Sequence, residues 1–327
     1  MNVRLLSADD IRSAISVAEA IEAVADGFAH LSSGSASVPL RTSLETSGGT
    51  SLFMPAYLPD SETTALKMVS VCPDNPRQGL PTVTAVVAVI DGRTGSPLAL
   101  MDGNYLTALR TGAASGAATD LLARSDAKVL ALFGAGAQGR TQLEAICTVR
   151  AIEEVRVFDP DRQASRRLVA EMAGQGRVPT NVFLADSPRK AVENAGIVVT
   201  ATTSHQPVFE GADIGPGTHI NAIGAYTPEM RELDETIVSR AKIVVDTREG
   251  CLAEAGDLIM PIQSGVISPA DIYAELGEIV RDAKAGRESE EEITLFKSVG
   301  TAVQDAAVAR AALDRAGQRD LGTVVTL

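Results

Sequence analysis

The sequence predicts an α/β protein: a doubly wound parallel sheet covered by helices, with a smaller α+β domain beside it. Three observations lead there. Beyond Asp126 short apolar runs alternate with helical stretches, the pattern of strand–helix–strand units. Residues 50–100 instead alternate β-rich runs with turn residues. Hydrophobic residues make up 45% of the chain but aromatics only 3%, with no Trp, so the cores are built from Ala, Val, Leu and Ile, which suits parallel strands buried on both faces. A chain of 327 residues is also too long for a single compact core, which points to two domains.

Ser7 reads as an N-cap ahead of Ala8, Asp9, Asp10 and Ile11, with acids in the first turn. Residues 17–31 read as an amphipathic helix with Ile21, Val24, Ala25 and Phe28 on one face, ended by residues 32–35. Residues 51–57, 66–72 and 83–90 read as strands, and residues 91–95 (DGRTG) as a turn between two antiparallel strands. Residues 107–123, rich in Ala and other small residues, suit a closely packed helix. Further on, strands are expected at 128–133, 154–158, 181–184, 197–200, 219–223 and 243–245. Helices are expected at 138–149, 162–172 and 299–315, the last with a small-residue face.

Gly134, Gly136 and Gly139 form a GxGxxG sequence between an apolar strand and a helix. Gly134 permits the tight turn, Gly136 lets a pyrophosphate approach the backbone, and Gly139 allows close helix–sheet packing at a helix N-terminus that favours phosphate. Asp159 ends the second strand, twenty residues past the last glycine. A carboxylate there accepts from ribose hydroxyls and repels a 2′-phosphate, which selects NAD(H). Arg162 and Arg166 nearby weaken that preference. The unit is therefore a Rossmann dinucleotide-binding domain.

The net charge of −13 argues against a nucleic-acid partner. No signal peptide or membrane span is legible, and Cys72, Cys147 and Cys251 are too few and too far apart for a disulfide framework, so a cytoplasmic location is expected. No metal site is read.

Arg41, Lys67 and Arg110 come from three segments of the first domain, Lys67 inside a strand-like run and Arg110 among small residues. Cations in such settings are costly to bury unpaired and suit an anionic ligand: guanidinium forks bind carboxylates, and a buried Lys moves protons. Surface or salt-bridged cations are the other reading, and the sequence alone does not bring the three together.

Residues 66–69 (LKMV), 79–83 (GLPTV), 106–115 (LTALRTGAAS), 134–138 (GAGAQ), 218–224 (THINAIG) and 294–300 (TLFKSVG) together resemble the ornithine cyclodeaminase/mu-crystallin family over nearly the whole chain. The resemblance implies a homodimer whose substrate and dimerisation domain, residues 1–118 plus 301–327, is interrupted by a Rossmann domain at 119–300. It implies that Lys67 is the active-site lysine and that Arg41 and Arg110 take the substrate carboxylate, with Val299 at the substrate. It implies cofactor contacts at Thr82, Ala137, Gln138, Asp159, Thr200 and Ser298, with Arg110, Thr111, Ala222 and Ile223 in the same shared segments. One position departs. The cyclodeaminases carry an Asp that holds the substrate amino group, where this chain has Tyr226. A phenol lacks that fixed charge, and Glu229 compensates only if its loop folds inward.

The expected activity is therefore reduction of a 2-imino acid by NADH to an L-amino acid. Arg41 and Arg110 would hold the carboxylate, Lys67 would donate a proton or hydrogen bond, and Tyr226 would line the pocket. The imine is open-chain, such as iminosuccinate or iminopyruvate, or cyclic, such as 1-pyrroline-2-carboxylate. His205 and His219 are candidates for a second carboxylate or for structural roles. The alternatives are ornithine cyclisation and a non-enzymatic binding protein of the mu-crystallin kind.

Overall fold

The computed structural model describes residues 1–326, apart from the side chain of Pro76. The chain divides into two compact units. One runs to Arg110 and resumes at Thr301; the other is Thr111–Gly300. The division expected at residue 118 falls in the same helix as Arg110.

The first unit opens with β1 (Asn2–Leu6), α1 (Ala8–Ala14) and α2 (Val17–Ser32). Both helices start on capping boxes. The Ser7 hydroxyl accepts from the Asp10 N–H while the Asp10 carboxylate accepts from the Ser7 N–H, and Ser16 and Glu19 repeat the exchange. Ile21, Val24 and Phe28 bury one stripe of α2, and Ala25 at its edge is half-buried. Then come β2 (Thr42–Thr46), β3 (Gly49–Leu58), β4 (Thr63–Val71), β5 (Val83–Asp91) and β6 (Pro97–Asp102), successively antiparallel, with β6 parallel to β1. The turn after β5 closes because the Asp91 carboxylate accepts from the Arg93 and Thr94 N–H groups.

The alternation of β3 to β6 sorts their side chains onto two faces. Met54, Lys67, Val87 and Met101 share one register row and are all buried. Pro55, Leu66, Ala88 and Leu100, one residue along, face the other way and are only half-buried or exposed.

α3 (Gly103–Leu122) follows, and every residue from 109 to 119 is buried. Small side chains permit this: a Cβ added at Gly112 would lie 2.5 Å from the Thr141 carbonyl oxygen.

The second unit contains, in order, β7 (Val129–Phe133), α4 (Ala137–Val149), β8 (Glu154–Phe158), α5 (Arg162–Met172), β9 (Val182–Leu184), α6 (Pro188–Val192), β10 (Ile197–Thr200), β11 (His219–Ala222), α7 (Glu235–Arg240), β12 (Lys242–Val245), α8 (Arg248–Glu254), α9 (Gly256–Gln263), β13 (Ile272–Glu275), α10 (Leu276–Val280) and β14 (Thr294–Lys297). Its strands are all parallel, in the order β9-β8-β7-β10-β11-β14-β12-β13. The winding reverses between β7 and β10, which opens a crevice at the carboxyl ends of those strands. The expected doubly wound sheet and its smaller α+β companion are both present.

The chain re-enters the first unit as α11 (Ala302–Arg319) and β15 (Thr323–Thr326), the latter antiparallel to β1. α11 packs on α2, β3 and β4. Its small residues allow the approach: a Cβ at Gly27 of α2 would meet Ala307 Cβ at 3.2 Å. The helix expected from residue 299 starts three residues later. Gly300 sits at φ +82°, outside the right-handed helical region, and Val299 is committed to a hydrogen bond described below. Among the described residues no helix is long and apolar enough to cross a membrane.

The tight packing of α3 has a direct consequence. Gly112→Val should lower stability by about 1–3 kcal/mol through overpacking, read as an earlier urea midpoint with an unchanged slope.

Candidate functional site

In the second unit the three glycines occupy the strand–helix turn after β7. Gly134 adopts φ +98°, and a Cβ there would lie 2.4 Å from the Ala201 carbonyl oxygen. A Cβ at Gly139 would lie 2.3 Å from the Gly134 carbonyl oxygen, so this residue seats α4 against the turn. Gly136 differs: it is the α4 N-cap, with no side-chain cap and nothing within 4 Å of where a Cβ would project. The first N–H groups of α4 are thus left for an anion. Asp159 directly follows β8, where its two oxygens accept from the Ala135 N–H at 2.9 Å and the Asp161 N–H at 2.8 Å. These bonds fix the carboxylate beside the glycine turn and leave further lone pairs for ribose hydroxyls. Gln138 Oε1 is buried without a hydrogen-bond partner among the described residues. The open glycine face, uncapped helix and anchored acid fit a dinucleotide. Arg162 is exposed and lies 3.7 Å from Asp186, and Arg166 is exposed.

Behind the crevice three buried carboxylates, Glu232, Asp246 and Asp257, organise the loops. Glu232 accepts from the Thr200 and Thr202 hydroxyls and from the Thr202, Gly224 and Ala225 N–H groups, at 2.7–3.1 Å. It thereby ties the loop after β10 to the loop after β11. Burial, then the nearby Asp257, push its carboxyl up, against the pull of Lys297. Lys297, fully buried at the end of β14, pairs with Asp257 at 2.8 Å and donates to the Ala225 carbonyl at 2.6 Å. Burial pulls the Lys297 ammonium down, but Asp257 and Glu232 outweigh it and hold its pKa above the ordinary 10.5. Asp246, after β12, gathers the Ser298 hydroxyl and the Val299 and Gly300 N–H groups on one oxygen, at 2.7–2.9 Å.

Thr200 thus spends its hydroxyl on Glu232, and Ser298 its own on Asp246. Thr111 is buried, its carbonyl accepting from Gln142 Nε2. Ala222 and Ile223 are buried at the end of β11, and Ala137 is exposed at the start of α4. Tyr226, on the loop after β11, is 40% exposed, and Glu229 is exposed. His205 Nδ1 donates to the Glu229 carbonyl, and buried His219 bonds Thr294 through Nδ1, its pKa pushed down to about 3 by burial. His219 is therefore a neutral core histidine.

The first unit brings together Lys67 and Arg110. Lys67 on β4 is 2% exposed, and its Nζ lies 2.7 Å from Asp305 Oδ2. Arg110 on α3 places Nε 3.2 Å from Asp305 Oδ1 and donates from Nη1 to Gln304 Oε1. Burial, then the Arg110 charge, push the Lys67 ammonium down to about 8, with Asp305 opposing and Arg41 adding to the fall. Arg41, half-buried just ahead of β2, is therefore within electrostatic reach of Lys67. Thr82 is half-buried ahead of β5, its carbonyl accepting from the Cys72 N–H at 2.8 Å.

The family model of the ornithine cyclodeaminase/mu-crystallin family matches residues 1–320. The chain belongs to this family. A Delta(1)-pyrroline-2-carboxylate reductase of Bacillus cereus is 39% identical over 97% of this chain and 98% of its own. An alanine dehydrogenase of Archaeoglobus fulgidus is 38% identical over 99% and 98%. Among solved structures, the Delta(1)-pyrroline-2-carboxylate reductase of Thermococcus litoralis, in complex with NADH and L-proline, superposes with a TM-score of 0.93 at 46% identity, covering 98% of this chain and 99% of that one.

Sequence reasoning missed Gln304 and Asp305, because an acid in the first turn of a helix reads as dipole compensation. It also missed Glu232, Asp246, Asp257 and Lys297. The available signal was a charged residue inside an apolar or small-residue run, as in residues 294–297 and 302–307.

The loop scaffold makes a prediction. Lys297→Met leaves Asp257 and Glu232 buried without their counter-charge. It should cost about 3–5 kcal/mol, measured by denaturant unfolding, against near-neutral effects for exposed lysines.

Proposed function

We propose that this chain is an NAD(H)-dependent oxidoreductase that reduces the C=N bond of a cyclic 2-imino acid, 1-pyrroline-2-carboxylate or a close ketimine, to the L-amino acid. One observation carries the reading: two buried cations, Lys67 and Arg110, share a single buried carboxylate, Asp305. The surplus positive charge in a poorly solvated place favours an anion, and a substrate carboxylate supplies one. The similarity to pyrroline-2-carboxylate reductases supports the choice of a cyclic imine.

The residues divide the work. Arg110, with Arg41, takes the carboxylate. Gly134, Gly136, Ala137, Gln138, Gly139 and Asp159 would hold a reduced nicotinamide dinucleotide, whose chemistry when bound would be to supply a hydride to the imine carbon. Thr82, Thr111, Thr200, Ala222, Ile223 and Ser298 belong to the same cofactor assignment, and Val299 and Tyr226 to the substrate side. Lys67 gives a proton to the imine nitrogen, so the carbon gains a hydride, the nitrogen a proton, and the lysine is reprotonated from water. A pKa near 8 suits this: the ammonium is present at neutral pH yet parts with its proton more readily than an ordinary lysine. Tyr226, standing where the cyclodeaminases carry an acid, offers no fixed charge for a second amino group, which disfavours ornithine cyclisation.

We also propose a cytoplasmic homodimer. The outward row of Pro55, Leu66, Ala88 and Leu100, with Phe53, Met68 and Val86 in the next outward row, gives the first unit an apolar sheet face that a second copy would cover.

The test is NADH oxidation with a panel of imines. 1-Pyrroline-2-carboxylate should be reduced at least tenfold more efficiently than pyruvate with ammonia. Preference for pyruvate and ammonia would move the assignment to an alanine dehydrogenase. Ammonia release from ornithine without imine-dependent oxidation would move it to a cyclodeaminase, and NADH binding with no turnover to a binding protein. Lys67→Ala should cut kcat by about 10²–10⁴-fold while NADH affinity stays within about twofold.

A further inference from the structure

The imine site so far uses cations from β4, α3 and the segment before β2. The neighbour that Lys67 and Arg110 share on α11 has no part in that chemistry, yet it is built with care. Gln304 and Asp305 are the polar pair in an otherwise small apolar run, residues 302–309, and both are buried. Asp305 bridges two elements, one oxygen on Lys67 and the other on Arg110. Gln304 accepts from Arg110 through Oε1, which turns its amide nitrogen away from the guanidinium, and Nε2 is buried with no hydrogen-bond partner among the described residues. A buried N–H donor left open beside a guanidinium is costly unless an oxygen arrives.

We propose that Asp305 is the positioning residue of the imine site, seating the Lys67 ammonium and the Arg110 guanidinium on its two oxygens, and that Gln304 completes the same cradle by orienting Arg110 and offering Nε2 to the substrate carboxylate. This rests on the imine-reductase reading of the site.

A purely structural ion pair would neutralise its partners. Asp305 does not: it is one negative charge against two buried cations, so it fixes their positions while leaving the site attractive to an anion. It also competes with that anion. The charged groups that bear on Lys67 are Asp305 on α11, Arg110 on α3 and Arg41 ahead of β2. Both arginines disfavour the lysine's charged form, and Asp305 is the group that favours it. The carboxylate therefore has two separable effects, holding the proton on Lys67 and weakening anion binding, with opposite consequences when it is removed.

Asp305→Asn keeps the shape and removes the charge. The probe is pyrrole-2-carboxylate, a planar anion with no reducible C=N bond, titrated against the NADH-loaded protein from pH 5.5 to 9.5. The kcat/KM for 1-pyrroline-2-carboxylate is followed over the same range. In the variant the basic limb of both profiles should move about one pH unit lower. Below that limb the analogue should bind two- to tenfold more tightly than to the parent, because its competitor is gone. Gln304→Leu should raise KM and weaken the analogue about tenfold at every pH, with the limb unmoved.

A loss of binding at all pH values in Asp305→Asn, with the limb where the parent has it, would overturn the proposal, since a structural role predicts only loosening. Should Asp305→Asn fail to fold, judged by its NADH affinity, Gln304→Glu takes its place. A second acid beside Arg110 should raise the limb and weaken the analogue, and unchanged profiles would equally overturn the proposal. If the parent reduces no imine, the function assigned to the chain falls. The analogue's pH dependence in parent and variant still reads the Asp305 inference separately.

Discussion

The arrangement depends on one buried ion pair, Lys67 with Asp305 at 2.7 Å. Burying an ammonium is unfavourable unless a counter-charge and hydrogen bonds replace its water. β4 points Lys67 into the same face as Met54, Val87 and Met101, and α11 can bring Asp305 to it only because small residues let that helix lie close. Arg110 then shares the carboxylate, and the surplus charge defines what the site can hold. The chemistry follows from the packing: an anion to balance the cations, and a lysine whose proton is loosened by its surroundings.

The second unit solves a related problem differently. Its carboxylates accept from backbone N–H groups and hydroxyls, and so convert buried charge into loop geometry. Asp159 fixes the glycine turn, Glu232 joins the loops after β10 and β11, and Asp246 holds the end of the chain's passage at Ser298, Val299 and Gly300. Lys297 and Asp257 anchor the second of these from below. The carboxyl ends of the parallel strands are where a doubly wound sheet binds its ligand, and there backbone placement has to be most exact in ångström terms.

Much of this was legible in the residues. The strands at 154–158 and 197–200 and the helix at 162–172 appear where the alternation of apolar runs and turn residues put them. The fingerprint of Gly134, Gly136, Gly139 and Asp159 was readable because each residue meets a local backbone demand. The helix start at residue 299 was misplaced because the cue lies far off in the chain: Asp246 holds the Val299 N–H, and Gly300 turns with positive φ. Asp305 was missed for the same reason. Its meaning depends on Lys67 and Arg110, separated from it by 238 and 195 positions, and its position in the first turn of α11 gives it a local explanation that hides the other. Arg41, Lys67 and Arg110 could be named from their settings, but only the fold shows that two of them share a carboxylate.

The most direct test of this account is the titration of Lys67 itself, followed by 13C NMR of the protein labelled at lysine Cε, with Lys67→Arg assigning the resonance. A midpoint of about 8 is the result expected of the buried, arginine-flanked environment. A midpoint at the ordinary lysine value of 10.5 would mean that Asp305 fully offsets burial and the two arginines, and would contradict the surplus positive charge on which the account rests.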